Sequence, residues 1–327
     1  MRRREFIRLF GGAAAAWSVA ARAQPAGAIP VIGLLTLANL PGWAMDAIRA
    51  GLDEAGFIEG RNLTIVVRSA EGQFDRLPAL AADLAKSQVN VILATGSPVP
   101  ARAAKAATTK IPIVFAYGGD PIADGLVDSL NHPGGNVTGA TFIGSELLAK
   151  RMELLRQIVP QATDIALLVN PKGTLAERQI RDGNAAAQTL GQRLHVLNTS
   201  TQSEIDAAFA TMSQLKVGAF VVSTDPFFGF VGRDHLLLQA RSSKIPGIYN
   251  GRDELGADGL VSYGPKLPET WRQAGLYVGR ILQGEKPSDL PVMRPTRFEM
   301  IINLKTAKEL ELTIPPTLLG LADEVIE

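Results

Sequence analysis

The fold is decided by a strand-and-helix unit near the start of the chain, which reads PVIGLLTLANLPGWAMDAIRAGLDEAG at residues 30–56. Its opening apolar run ends at Thr36 and has no polar alternation, which is typical of a strand buried on both faces. Ile48, Leu52 and Ala55 then recur with the spacing of an amphipathic helix. Repetition of such a unit predicts an α/β fold built on a parallel sheet.

The same pattern continues through both halves of the chain. In the first half it predicts strands at 63–67, 91–94 and 111–117 and helices at 77–86 and 100–108. In the second half it predicts strands at 165–169, 194–197 and 219–222 and helices at 176–190, 204–215 and 234–242. The tripeptide Lys-Ile-Pro at 110–112 returns at 244–246 within the repeated order of elements. We therefore predict a duplication that gives two lobes, each a doubly wound parallel sheet.

A hinge with several crossovers is expected to join the two lobes. The segment HPGGNVTG at 132–139 carries a proline and paired glycines, which permit sharp turns of the backbone. Near the end of the chain, a helix is predicted at 268–282, a strand at 297–302 and a helix at 304–310. On this interpretation lobe 1 comprises residues 29–138 and about 266–285, and lobe 2 comprises residues 139–262 and about 296–327.

Length and composition are those of a globular protein with more than one domain. The chain has 327 residues, of which 46% are hydrophobic and 20% charged. Lysine and arginine number 33 against 32 aspartates and glutamates, and no run of like charges follows the first eight residues. Nucleic acid is therefore not an expected partner. The chain has no cysteine, which excludes disulfides, thiolate nucleophiles and a lipid anchor on an N-terminal cysteine.

Residues 1–23 have the features of an export signal. Arginines occupy positions 2–4, a short apolar stretch follows, and Ala21-Arg22-Ala23 is similar to a cleavage site. The apolar stretch is shorter than the ~20 residues that a spanning helix requires. Paired arginines before Phe6, Ile7 and Arg8 are similar to the twin-arginine export signature, with an ordinary secretory signal as the alternative. We expect cleavage near Ala23 and a mature protein in the periplasm.

Small and polar residues follow the predicted strands, and ligands of open parallel sheets bind outside the carboxyl ends of the strands. These candidate ligand-binding residues are Thr36, Thr95, Gly96, Ser97, Asp120, Asn170, Ser223, Thr224, Asp225 and Asn250. Aromatic residues near the same strand ends are candidates for stacking on a ligand: Trp43, Tyr117, Phe227, Tyr249 and Tyr263. Hydroxyl and N–H groups suit a carboxylate and a buried aspartate suits an ammonium, so the set predicts a cleft for a small zwitterion.

Structural roles compete with each of these assignments. The hydroxyl and amide side chains in the set are also the residue types of helix caps. Asp120 and Asp225 each precede a proline, a pair that favours turns. Asp120 is the preferred candidate for the ammonium partner, and Phe227 belongs either to a lid or to the core.

No residue pattern indicates enzyme chemistry. The histidines at 132, 195 and 235 have no second metal ligand at helical or strand spacing, and the motifs of serine hydrolases, dinucleotide-binding folds and P-loops are missing from the sequence. We therefore expect no catalytic residue, no metal and no cofactor.

Several motifs resemble those of a known family. They are GFIEGRN at 56–62, IPIVF at 111–115, Asp120-Pro121 with GLV at 125–127, PGGNVTG at 133–139 and NLKTA at 303–307. Together they are similar to periplasmic substrate-binding proteins of ABC transporters with the type I binding-protein fold, in the branch that includes tryptophan- and tyrosine-binding members. The similarity covers nearly all of the chain after the export signal.

The resemblance implies two lobes joined by three crossovers, which capture a small-molecule ligand between them. The ligand is then delivered to an inner-membrane permease with a cytoplasmic ATPase. We expect a monomer without enzyme activity. The family's contacts fall on Thr36, 95–97, Asp120, Asn170 and 223–225. The loop at 37–43 varies within the family, which leaves side-chain specificity open. A periplasmic sensor domain that acts on a membrane receptor or kinase is the alternative function for the same two lobes.

Overall fold

Two separate sheets form the framework of the computed structural model, which describes residues 29–142, 147–295 and 297–327. The predicted export signal at residues 1–23 lies outside the described residues. In the described part of the chain, no helix is both long and apolar enough to cross a membrane.

The first sheet is parallel throughout, with strand order β2-β1-β3-β4-β5. Its strands are β1 (Val31–Thr36), β2 (Thr64–Ser69), β3 (Val91–Thr95), β4 (Ile113–Tyr117) and β5 (Val137–Thr141). The middle strands β3 and β4 are buried along their whole length, which explains why their sequences are apolar without alternation. β4 begins two residues later than predicted because Pro112 has no N–H to donate to a neighbouring strand.

The second sheet repeats this order and adds two strands, giving β12-β11-β10-β9-β8-β6-β7. Its strands are β6 (Asp164–Val169), β7 (Arg193–Asn198), β8 (Ala219–Val222), β9 (Gly247–Tyr249), β10 (Val261–Pro265), β11 (Phe298–Asn303) and β12 (Glu324–Ile326). The order β7-β6-β8-β9-β10 matches β2-β1-β3-β4-β5 strand for strand. Only the β10–β11 pair is antiparallel among the strand pairs of the described residues. The predicted class, two doubly wound α/β lobes, is confirmed.

Helices cover the faces of both sheets. They are α1 (Gly42–Glu54), α2 (Leu77–Lys86), α3 (Pro98–Ala107), α4 (Leu148–Ile158), α5 (Ala176–Leu190), α6 (Gln202–Gln214), α7 (Arg233–Ser243), α8 (Arg252–Leu255), α9 (Leu267–Leu282), α10 (Leu304–Glu309) and α11 (Pro316–Leu319). α3 begins two residues earlier than predicted, because the Ser97 hydroxyl caps it by accepting a hydrogen bond from the Val99 N–H and Pro98 suits the first helical position.

The order of the described elements shows that the chain changes from one sheet to the other three times. It leaves the first sheet after β5, returns after β10 into α9, which packs on α1 and on β3 to β5, and crosses again before β11. β5 belongs to the first sheet as far as Thr141, so this sheet continues past the expected lobe boundary at residue 138. The division of the chain into two lobes is otherwise retained here as a proposal.

Close packing of α1 against α9 positions one side of the space between the sheets. A Cβ at Gly51 would lie 1.9 Å from the Arg272 carbonyl oxygen, and one at Gly275 would lie 2.2 Å from the Ile48 carbonyl oxygen. Glycine at both positions therefore lets the helix backbones approach each other directly. The contact fixes the relative positions of Trp43 on α1 and Trp271 on α9.

Candidate functional site

A cavity of about 280 Å³ opens where the carboxyl ends of the two sheets face each other. Residues that follow β1, β3 and β4, such as Leu37, Gly96 and Gly118, line it on one side. Residues that follow β6, β8 and β9, such as Asn170 and Asn250, line it on the other. This is the position predicted for ligand binding in open parallel sheets.

The wall of the cavity that belongs to the first sheet is mainly apolar. Leu37, Trp43, Phe74 and Trp271 line it, together with Phe142 after β5. The rings of Trp43 and Trp271 meet edge to face, with centroids 6.4 Å apart and planes at 87°. Such a wall suits an apolar or aromatic part of a ligand.

The opposite wall is polar, and two of its acidic side chains, Asp225 and Glu254, accept hydrogen bonds from neighbouring groups. Asp225 accepts hydrogen bonds from the Asn170 side chain and the Phe227 N–H, both at 2.9 Å. Burial raises the pKa of the Asp225 carboxyl above its ordinary value, against the opposing effect of these two donors. Asp253 also lines this wall, and burial raises its pKa as well.

A chain of hydrogen bonds runs along the polar wall. The Thr224 hydroxyl donates to Asn250 Oδ1 at 2.8 Å, and Asn250 Nδ2 donates to Glu254 Oε2 at 2.7 Å. Burial raises the pKa of Glu254 to about 7, although the Asn250 donors and the charge of Arg151 favour its ionised form. The Glu254 carboxyl therefore changes its charge near neutral pH.

Arg151 is the first member of this series of hydrogen bonds, and its side chain is 0% exposed. Its Nε donates to the Tyr263 carbonyl oxygen at 2.8 Å, and one terminal nitrogen donates to the Thr224 hydroxyl at 3.4 Å. The other terminal nitrogen, Nη2, has no hydrogen-bond partner although it is buried. Burial lowers the pKa of Arg151 to about 10, which leaves the guanidinium charged at neutral pH.

The structure brings together eight of the fifteen residues predicted for the site. The cavity is lined by Trp43, Gly96, Ser97, Asn170, Thr224, Asp225, Phe227 and Asn250. Two of them also have the structural role that competed with binding, because Ser97 caps α3 and the Asn170 side chain accepts a hydrogen bond from the Lys172 N–H in a turn.

The other seven predicted residues lie away from the cavity lining. They are Thr36, Thr95, Tyr117, Asp120, Ser223, Tyr249 and Tyr263. Thr36 donates its hydroxyl to the Ala38 carbonyl oxygen, and Tyr117 is buried with its hydroxyl donating to Asp124. Tyr249 is buried edge to face against Phe220. Thr36, Tyr117 and Tyr249 therefore have roles in local structure, whereas the buried hydroxyls of Thr95 and Ser223 have no hydrogen-bond partner.

Asp120 occupies a turn at the outer edge of the space between the lobes. Its Oδ1 accepts hydrogen bonds from the Ile122 and Ala123 N–H groups at 3.0 and 3.2 Å, as expected of an aspartate that starts a turn. Its Oδ2 lies 3.9 Å from an Arg178 terminal nitrogen on α5, across from the first sheet. The geometry fits a turn with an ion pair between the lobes and places Asp225, rather than Asp120, in the cavity wall.

Many residues of the cavity lining were missed from the sequence, among them Arg151, Glu254 and Trp271. Arg151 had a signal, because it shares the buried face of α4 with Leu148 and Leu155 at helical spacing. A charged residue on an apolar helix face indicates a buried partner or a ligand. Glu254 and Trp271 had none, since neither directly follows a strand of the repeated pattern.

Metal-ligating side chains do not cluster in the part of the chain that the structure describes: no group of three or more histidine, aspartate or glutamate residues there is arranged to hold a metal ion. His195 and His235 each pair with one aspartate, Asp164 at 2.8 Å and Asp206 at 2.6 Å.

Two duplicated α/β lobes with a cavity between the carboxyl ends of their sheets are the architecture of proteins that bind a small molecule between two lobes. The chain belongs to the family described as ABC transporter substrate binding protein, whose family model matches residues 41–326. It is 27% identical over 286 residues to a protein of Clostridioides difficile (strain R20291) named tyrosine-binding protein, an alignment that covers 86% of this chain and 81% of that protein. The family and fold predicted from the sequence are therefore confirmed.

Solved structures show the same fold. An ABC domain from Streptococcus pneumonia in complex with L-Trp has a TM-score of 0.79 and 24% sequence identity, and it covers 91% of this chain and 99% of its own. The ligand-free, open structure of a substrate binding protein with adhesive properties from Clostridium difficile has a TM-score of 0.67 and 25% identity, with the same two coverages.

Proposed function

We propose that the protein is the solute-binding component of an ABC transporter. It captures a small zwitterion that has an apolar or aromatic part. It then releases this ligand, chemically unchanged, to an inner-membrane permease with its cytoplasmic ATPase. The observation that carries this proposal is the division of the cavity into one aromatic and one polar wall. The names of the tyrosine-binding relative and of the L-Trp complex support an aromatic amino acid.

The division of the cavity assigns parts of the ligand to parts of the protein. Trp43 and Trp271 contact the apolar part, and the side chains of Asn170, Asp225 and Asn250 contact the polar part. Each lobe supplies one half of the contacts, so the complete set forms only when the lobes are closed. Ligand binding then shifts the population toward the closed form.

Export to the periplasm through a cleaved signal near Ala23, by the twin-arginine route, and action as a monomer complete the proposal. The arginines at positions 2–4 and the residues Ala21-Arg22-Ala23 support the export step. Mass spectrometry of the protein recovered from the periplasm tests it, with a mature N-terminus after Ala23 as the expected result and an uncut chain as the contrary one.

Isothermal calorimetry with the twenty L-amino acids, and with sugars and purines as comparison classes, tests the ligand. We expect saturable heat with one or a few apolar or aromatic amino acids at micromolar affinity, which corresponds to about −8 kcal/mol. Recovery of the same compound unaltered, by mass spectrometry of the mixture, is expected after prolonged incubation. Heat with a sugar or purine alone, or conversion of the bound compound, contradicts the proposal.

A further inference from the structure

We propose that Arg151 and Trp271 together form a carboxylate subsite, which restricts the ligand to molecules with a free carboxylate. This inference rests on the proposed function and deepens it by naming the groups that recognise one end of the ligand. Arg151 supplies its Nη2 donor and Trp271 supplies its indole Nε1 donor. Both residues line the cavity, and both donor atoms are buried without a hydrogen-bond partner.

The charge of Arg151 is not matched by an ion pair. Its partners at hydrogen-bond distance are the Tyr263 carbonyl oxygen and the Thr224 hydroxyl, both neutral groups. Among the described residues, no carboxylate lies within ion-pair distance of this guanidinium, and Glu254 acts on it only through the longer-range field. A buried charge without a direct counter-charge is costly, so the site is completed by a negative group from outside the chain.

Trp271 supplies a second donor to the same cavity. Its side chain is 1% exposed, its ring is fixed edge to face against Trp43, and its N–H is unsatisfied. A buried N–H that lacks a partner costs free energy that an acceptor on the ligand removes. Unlike Arg151, this donor is neutral, so it adds direction to the site without adding charge.

Chain topology brings the two donors to the same region. Arg151 is anchored on the carbonyl of Tyr263 in β10, and α9 with Trp271 begins directly after that strand. Both residues therefore lie close to the β10–α9 crossover. A carboxylate has two oxygens, so it can accept a hydrogen bond from each donor and also neutralise the charge of Arg151. A sugar hydroxyl can accept a hydrogen bond but leaves that charge unmatched.

Acidic residues in the same wall define the other end of the ligand. Asp225, Asp253 and Glu254 line the cavity with Arg151. A ligand with a carboxylate alone would bring negative charge toward these groups, whereas an ammonium on the same molecule offsets the repulsion. The subsite therefore selects a free amino acid over a simple acid, a sugar or an amine.

Matched probes and two conservative variants test the subsite. The probes are L-tyrosine and L-tryptophan with tyramine and tryptamine, which have the same rings and amines but lack the carboxylate. Trp271→Phe removes the N–H and keeps a ring, and Arg151→Lys keeps a positive charge and removes the planar pair of donors. Calorimetry gives the dissociation constants of two probes for the wild type and for each variant. The probes are whichever of the two amino acids binds more tightly and the amine that matches it.

For the wild type we expect the amine to bind at least about 100-fold more weakly than the amino acid, since hydrogen bonds to charged groups are worth about 10- to 100-fold each. Trp271→Phe is expected to weaken amino-acid binding about tenfold, and Arg151→Lys at least about tenfold. Both probes have the same ring, so any loss of ring contact at position 271 affects them alike, and the ratio of amino-acid affinity to amine affinity is expected to fall about tenfold in each variant.

Thermal unfolding with and without the amino acid separates this role from a structural one. Arg151→Met removes the unpaired charge together with the hydrogen bonds to the Tyr263 carbonyl oxygen and the Thr224 hydroxyl, so a lower midpoint without ligand fits both roles. We expect the rise of the midpoint on adding the amino acid to be smaller for this variant than for the wild type. If Arg151 were only structural, the two proteins would show the same rise.

The outcomes distinguish this inference from the proposed function. Equal binding of the amino acid and its amine, or amino-acid affinities of Trp271→Phe and Arg151→Lys within twofold of the wild type, overturn the subsite and leave the solute-binding role intact. Failure of all twenty amino acids to bind overturns the subsite and the proposed ligand class together.

Discussion

At the scale of single residues, the polar wall of the cavity concentrates groups whose charges are out of balance before a ligand binds. Arg151 keeps its charge in a buried position, while burial raises the pKa of Glu254 to about 7 and that of Asp225 above its ordinary value. A ligand with both a carboxylate and an ammonium corrects both imbalances. The ligand-free protein therefore carries a stability cost that binding relieves.

The pH dependence of stability tests the burial of Glu254. Between pH 4.5 and about 7 the unfolded chain has released this proton while the folded protein retains it, so stability falls as pH rises through this window. Glu254→Gln cannot lose a proton. We expect the free energy of unfolding of this variant to gain on that of the wild type as pH rises from about 5 to about 8 in urea titrations without ligand.

Glu153, whose side chain is exposed, provides the control. Glu153→Gln removes an acidic side chain that is not buried. If the free energy of unfolding of Glu254→Gln minus that of the wild type stays constant over this range, or falls as pH rises, the raised pKa of Glu254 is contradicted.

Asp120 and Asp225 are a matched pair for a second test at this scale, since each is an aspartate before a proline that starts a turn. Asn at position 120 keeps the oxygen that accepts from the Ile122 and Ala123 N–H groups and removes the charge opposite Arg178. A partly exposed ion pair contributes about 0–1 kcal/mol, so we expect Asp120→Asn to change the dissociation constant of an amino-acid ligand by less than about fivefold.

Asp225→Asn, in the cavity wall, is expected to weaken the same ligand by about tenfold or more. Calorimetry on both variants is the measurement. Equal losses, or a larger loss for Asp120→Asn, would show that the ammonium partner is Asp120.

At the scale of elements, the contact between α1 and α9 builds the aromatic wall from two helices that are far apart in the sequence. Glycines at 51 and 275 allow the backbones to touch, and Trp43 and Trp271 lie at the ends of these helices that face the cavity. A side chain at either glycine would push the helices apart, because the atoms that it meets belong to the backbone and cannot rotate away.

Gly51→Ala tests this packing. We expect a loss of about 1–3 kcal/mol in the free energy of unfolding by urea titration, together with weaker ligand binding, because its Cβ would lie 1.9 Å from the Arg272 carbonyl oxygen. Gly42→Ala is the control in the same helix, since a Cβ there meets no atom within 4 Å. A Gly51→Ala protein as stable as Gly42→Ala contradicts the close approach.

The elements themselves are largely predictable from the sequence, and the site is predictable only in part. α5 and β8 match their predicted bounds, because α5 ends where Gly191 takes the left-handed conformation and β8 is a continuous apolar run. The positions after the strands locate the cavity, since topology alone brings carboxyl ends together. Whether a polar residue at such a position faces the cavity or turns into local structure depends on side-chain direction, and for this reason Asp120 and Asp225 have similar sequences but different surroundings.

At the scale of the whole molecule, the three crossings between the sheets allow the lobes to move as units about a hinge. The cavity is divided so that neither lobe alone provides both the aromatic and the polar contacts. The one ion pair described above that spans the lobes, Asp120 with Arg178, lies near the outer edge and is partly exposed. In the function that we propose, closure is driven by the ligand, with a small electrostatic contribution that salt screens.

Small-angle X-ray scattering of the purified protein, without ligand and with the site saturated as established by calorimetry, tests this account most directly. The account predicts a radius of gyration that falls on saturation, and a smaller change for Asp225→Asn under the same ligand concentration. Identical scattering profiles for the empty and the saturated wild-type protein would contradict capture by closure of two lobes over a bound solute.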